Sequence, residues 1–98
     1  MKSIGLIEVP SVTAAVDCLD IMCKTADVEF VTWERKLGGR LVTVVVTGNV
    51  SACREAVEAA YAKAIKRPVA KAVIANPCDE VVRILNLSAS RMASRISD

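Results

Sequence analysis

The sequence predicts an α+β fold: a ferredoxin-like βαββαβ core, with an antiparallel sheet carrying two helices on one face, followed by a short C-terminal helix. Three observations lead there. Segments dense in Val, Ile and Leu alternate with two long stretches whose apolar residues recur at helical spacing. A glycine-containing corner, Gly38-Gly39-Arg40, joins two β-like segments as a hairpin. The chain has 98 residues, the size of one domain.

Ser3 to Val9 reads as a strand, with Ile4, Leu6 and Ile7 supplying apolar mass before Pro10 stops the ladder. Ser11 is placed to cap a helix. From there Val12, Ala15, Val16, Leu19, Met22, Cys23 and Ala26 follow helical spacing, while Asp17, Asp20 and Lys24 gather on the other side. Val28 to Lys36 turns β-like again and ends in charges. Leu41 to Thr47 carries the strongest strand signal, since every residue in it is Val, Leu or Thr. Gly48-Asn49 offers a turn and a second N-cap, and Ala52, Cys53, Ala56, Val57, Ala60, Tyr61, Ala64 and Ile65 repeat at helical spacing up to Lys66-Arg67-Pro68. Val69 to Ala75 makes the fourth strand. Asn76-Pro77-Cys78-Asp79 has the layout of a helix start, with Asn as cap and Pro at the first helical position, and a short helix is expected to about Leu87. Residues 1–87 are thus expected to form the domain and 88–98 a C-terminal tail, loose or frayed.

Composition excludes several classes of function. The balance of 53% hydrophobic and 24% charged residues is that of a folded chain, and a mean hydropathy of +0.40 is high for so short a domain, which points to self-association. The uncharged stretch Leu41 to Cys53 is too short for a membrane span, and Glu8 interrupts what would be the core of a signal peptide, so a cytoplasmic protein without membrane contact is expected. Net charge is +2, with acids and bases interspersed, and the aromatics are Phe30, Trp33 and Tyr61, which speaks against a nucleic-acid footprint. Four cysteines, Cys18, Cys23, Cys53 and Cys78, show no C-x-x-C spacing and there is no histidine, so neither a metal site nor a cofactor is expected.

Catalytic candidates are correspondingly thin. Asp17 and Asp20 share a helix face, but Lys24 one turn from Asp20 makes an ion pair the ordinary explanation. Glu55 and Glu58 belong to a solvated face with Arg54. Cys78, near a helix start, is the one thiol placed for reactivity, with no general base beside it, and no enzymatic activity is expected. The Gly-Gly-Arg corner suits an anion through successive N–H groups and a guanidinium, but the signal is weak, and for an isolated chain a plain hairpin turn whose positive φ angles require glycine is the better reading.

Taken together, "IGLIEVPSVTAAVDCLDIMCKTADVEFV" (4–31), "GGRLVTVVVTGNVSACREAVEAA" (38–60) and "VIANPCDEV" (73–81) resemble the bacterial microcompartment shell-protein family, the BMC-domain family, in its single-domain, hexamer-forming branch. The resemblance covers about residues 3–86. It implies the BMC fold, and a structural subunit that forms flat homohexamers, tiles with other shell proteins around enclosed enzymes, and works in the bacterial microcompartment within the cytoplasm. It also implies that the hairpin corners converge on the sixfold axis, so that Leu37, Gly38, Gly39 and Arg40 line a pore for small anionic metabolites. An axis crowded by six backbones favours glycine, and a single Arg40 becomes a ring of positive charge. Lys24, Asn76 and Pro77 take the positions of the hexamer edge. The sequence departs from the family pattern in its Lys-Leu-Gly-Gly-Arg corner, one residue longer, and in Asn76, where the family usually has arginine. The alternative kept beside this is an oligomeric ferredoxin-like domain that binds a small anion or regulates, using the same corner.

Overall fold

A computed structural model describes residues 1–35 and 40–97. Its elements run β1 (Ser3–Val9), α1 (Val12–Thr25), β2 (Glu29–Arg35), β3 (Val42–Gly48), α2 (Val50–Lys63), β4 (Ala70–Ala75) and α3 (Asp79–Ser97). The βαββαβ order is therefore as the sequence predicts. The strands form one sheet in the order β2-β3-β1-β4, and each neighbouring pair is antiparallel.

Local chemistry fixes where the helices begin. The Ser11 hydroxyl accepts the Ala14 N–H at 3.0 Å, and the Asn49 side-chain oxygen accepts the Ala52 N–H at 2.8 Å. Each cap satisfies an amide that the first helical turn leaves without a backbone partner. Both helices lie on one face of the sheet, α1 toward β3 and α2 toward β1 and β4. The core between them contains Ile7 and Val9 of β1, Val42, Val44 and Val46 of β3, Ala14, Cys18 and Met22 of α1, and Cys53, Ala56, Val57 and Ala60 of α2. Each fully buried Val, Ile or Met side chain contributes roughly 1.5–3 kcal/mol relative to exposure.

Two glycines set how closely the layers approach. A Cβ on Gly5 would stand 2.8 Å from Val57 Cγ2, so glycine lets α2 settle onto β1. A Cβ on Gly48 would stand 2.8 Å from the Asp27 carbonyl oxygen, which backbone geometry holds in place.

On β2 the register shifts between Phe30 and Thr32. In a regular strand, residues three apart point to opposite faces; across this irregularity Phe30 and Trp33 meet edge to face, with ring centroids 6.4 Å apart. Trp33 packs against the main core, while Thr32 is buried on the other face. Ile4 and Val45, also buried, share that second face by strand alternation.

The last helix corrects the sequence expectation twice. It does not end near Leu87 but runs Asp79–Ser97, because Val81, Leu85, Ser88 and Met92 fall on one side and that side lies against β2. Nor does Asn76 cap it. Asn76 has φ 52°, a left-handed conformation that Asn tolerates, and it ends β4 by donating its N–H to the Lys2 carbonyl at 2.9 Å. Pro77 is consequently outside the helix. The first helical acceptor is the Cys78 carbonyl, which receives the Val82 N–H at 3.1 Å.

A third correction concerns α1. Val12 and Val16, counted above in its buried face, are 37% and 52% exposed. They lie on the flank that also carries Cys23, whose thiol donates weakly to the Val28 carbonyl at 4.0 Å. That flank therefore faces the β2 side of the molecule, while Asp17 on the other flank accepts the Ile65 N–H at 2.9 Å on the α2 side.

Candidate functional site

The sheet separates the residues of interest into two ends. At one end β1 finishes, β2 finishes and β3 begins, since Val9 and Arg35 both pair with Val42. The corner follows directly. Leu37, Gly38 and Gly39 lie outside the described residues; Arg40 and Arg35, which flank them, are both exposed. The ion pairs among the described residues are Lys24–Asp20, Lys71–Glu58 and Arg83–Glu80, so neither arginine takes part in one there.

More positive charge stands at this end on the helical side. Lys63, Lys66 and Arg67 are exposed around the C-terminus of α2, where cations complement the helix dipole. Lys71 Nζ sits 4.4 Å from the Tyr61 ring centroid and 2.5 Å from Glu58 Oε1, and the Arg67 guanidinium lies 5.6 Å from the same ring. Glu58 thus pairs across to β4 rather than with Arg54 along its own helix. The carboxylates here are already engaged. Glu8 accepts the Thr43 hydroxyl at 3.3 Å, and Glu34 accepts the Ser88 hydroxyl.

A cleft of about 320 Å³ opens at the same end, lined by Val12, Trp33, Glu34 and Arg35. Because side chains alternate along β2, Arg35 shares a face with Trp33 and α1, whereas Glu34 shares a face with Thr32 and α3.

At the opposite end of the sheet lie Lys24, Asn76 and Pro77. Lys24 Nζ meets Asp20 Oδ2 at 2.9 Å, with both side chains more than half exposed, and this hydrogen bond together with the carboxylate's charge raises the lysine pKa. The helical ion pair expected from the i, i+4 spacing is thus present. Asn76 is exposed and Pro77 buried, so the first presents its side chain to solvent while the second fills space beneath.

The thiols divide evenly. Cys18 and Cys53 are buried, Cys23 and Cys78 exposed, and burial pushes the Cys18 thiol up to about 11, with the nearby Asp17 charge adding to the rise. Burial likewise raises Cys53, against a smaller opposing effect of a hydrogen bond from the Gly48 backbone. Among the described residues no three His, Cys, Asp or Glu side chains converge as metal ligands. No helix there is long and apolar enough to cross a membrane.

What the sequence reading missed is a polar chain joining β2 to α3. Thr32, fully buried, lies 2.7 Å from the Ser88 hydroxyl, and Ser88 in turn donates to Glu34. The available signal was the spacing of Val81, Leu85, Ser88 and Met92, which places Ser88 in an otherwise apolar stripe.

Comparison with known proteins agrees with this architecture. Residues 3–77 match the family model described as BMC domain. The chain is 40% identical over 86 residues to the bacterial microcompartment shell protein PduA of Citrobacter freundii, covering 86% of this chain and 91% of PduA. PduA of Salmonella typhimurium is also 40% identical, with 90% of its length covered. A crystal structure of a microcompartment protein from Desulfitobacterium hafniense DCB superposes with a TM-score of 0.76 at 26% identity, over 90% of this chain and 48% of that one. With residues 3–77 matched by the family model and relatives 40% identical over 86% of its length, the chain belongs to the BMC-domain family.

Proposed function

We propose that this chain is a structural, non-catalytic subunit of a bacterial microcompartment shell. It closes into homohexamers around a pore formed by the corner ends of six sheets, and these tile with other shell proteins in the bacterial cytoplasm. The observation that carries the ring is the distribution of exposed apolar residues. Val12, Val16 and Phe30 stand on the β2 side, and Ile65, Val69 and Ile74 on the β4 side. Two different apolar flanks on opposite edges of one sheet suit a head-to-tail contact, in which the β2 side of each protomer meets the β4 side of the next. Such a contact closes into a ring when the rotation per step divides a full turn.

With the edges used in this way, the corner end points to the axis and the Lys24–Asn76 end to the rim. Arg40, repeated around the axis, favours small anions in a pore whose other corner residues, Leu37, Gly38 and Gly39, are uncharged. Lys24 and Asn76 then meet neighbouring hexamers. Asn76 supplies a shorter, uncharged contact than the arginine usual at this position.

Negative-stain electron microscopy of the purified full chain tests this reading. It predicts ring-shaped particles with sixfold symmetry that pack into sheets or tubes; isolated globular monomers at high protein concentration would refute it.

A further inference from the structure

We infer that Ser88 of α3 is a positioning residue that sets the charge presented at the corner end, by holding the Glu34 carboxylate on the far face of β2 from Arg35. The inference rests on the proposed pore and adds to it a role for the C-terminal helix. Ser88 has one hydroxyl proton and gives it to Glu34 Oε2, so the 2.7 Å contact with Thr32 has Thr32 as donor. The sequence Thr32 O–H to Ser88 O–H to Glu34 carboxylate is thus polarised in one direction and ends on the charge. Ser88 is 5% exposed and Thr32 0%, so water competes poorly for either hydroxyl.

The position of Glu34 gives this consequence. It is the last residue but one of β2, directly before Arg35, and it pairs with Thr43 three residues beyond Arg40. Pinned by Ser88, its carboxylate is held against α3, while Arg35, next along the strand, falls on the opposite face with Trp33. Released, a glutamate at this position can swing along the strand end toward the two arginines. A carboxylate brought toward them cancels part of their field, since exposed charges act on one another over about 8 Å in physiological salt. The C-terminal helix, which contacts β2 at one edge of the sheet, thereby keeps the corner end attractive to anions.

Trp33 is the single tryptophan of the chain and lines the cleft that Glu34 and Arg35 also border, so its fluorescence samples the charge there. The test is collisional quenching of Trp33 in the full chain by iodide and by caesium, each at matched ionic strength. The unaltered protein is expected to be quenched more by iodide than by caesium. Ser88→Ala should lower the iodide-to-caesium ratio by at least about twofold. The double variant Ser88→Ala with Glu34→Gln should restore it, and Glu34→Gln alone should leave it at or above the starting value. A ratio unmoved by Ser88→Ala overturns the inference. So does a fall that Glu34→Gln fails to restore, since that pattern reports a displaced helix and not a released charge. Quenching reads the local field whatever the oligomeric state. A chain that shows the expected pattern without forming rings therefore refutes the pore and leaves the positioning role of Ser88 standing.

Discussion

The hydroxyls of Thr32 and Ser88, 56 residues apart in sequence, meet at 2.7 Å between β2 and α3. This contact ties the last helix to β2. Its β2-facing stripe also includes Val81, Leu85 and Met92, which are partly buried.

The two hydroxyls should therefore be energetically coupled. Ser88→Ala leaves the Thr32 hydroxyl buried with only a 3.4 Å contact to the neighbouring Trp33 carbonyl, and is expected to cost roughly 1–3 kcal/mol in urea denaturation. Thr32→Val, which keeps the shape and removes the donor, should cost about 1 kcal/mol. The double variant should cost less than the sum of the singles, because it leaves no orphaned hydroxyl on β2. Strict additivity would mean that the contact carries no energy.

Gly5 and Gly48 should differ in what alanine does. At Gly5 the added methyl meets the Val57 side chain, which is fixed in rotamer but can shift with α2, so a cost of about 1–3 kcal/mol is expected. At Gly48 it meets the Asp27 backbone carbonyl, and α1 with its following turn must move to make room. Gly48→Ala should lower the thermal midpoint more than Gly5→Ala; the reverse order would show that the α1–β2 turn yields more easily than the α2–β1 contact.

Thiol chemistry should follow burial. In the native chain Cys23 and Cys78 should react with a small disulfide reagent and Cys18 and Cys53 should not, all four becoming reactive in denaturant. The raised Cys18 value also fixes a sign. Its pKa is about 11 folded against 9.0 for an ordinary thiol, so between those values the unfolded chain has lost a proton that the folded chain keeps. Stability contributed by the neutral thiol is present below pH 9.0 and falls as pH rises to about 11. A Cys18→Ala variant should lose stability less steeply over that window.

At the proposed rim, Lys24→Ala should leave folding nearly unchanged, since the Asp20 ion pair is exposed and screened by solvent. It should nevertheless reduce sheet or tube formation while leaving the rings intact. Asn76→Arg should strengthen tiling. Asn76→Val should instead destabilise the fold, because a β-branched residue is poorly accommodated at φ 52°. Light scattering and electron microscopy of the assembled material distinguish these outcomes.

The sequence made the βαββαβ order, both N-caps at Ser11 and Asn49, and the Asp20–Lys24 pair legible, because each rests on interactions within a few residues. What it hid depends on distant chain segments. Helical periodicity assigns Val12 and Val16 to an apolar face, but cannot tell a face that meets the sheet from a flank left open beside β2. Asn76-Pro77 carries the residue types of a helix start, and only the hydrogen bond to Lys2 shows that Asn76 ends a strand instead. The serines from Ser88 onward lower helix propensity enough to suggest a tail, whereas the helix continues to Ser97, with Ser88 docked on β2. Of the proposed site, the exposed Arg40 and Lys24 could be read from the chain; the hold of Ser88 on Glu34 could not, since it joins residues 54 apart.

Whether six copies close a ring is measured most directly by sedimentation equilibrium of the purified chain. A dominant species of six times the 10.5 kDa chain mass, persisting at micromolar concentration, is the predicted result; a monomer throughout the accessible concentration range would contradict it.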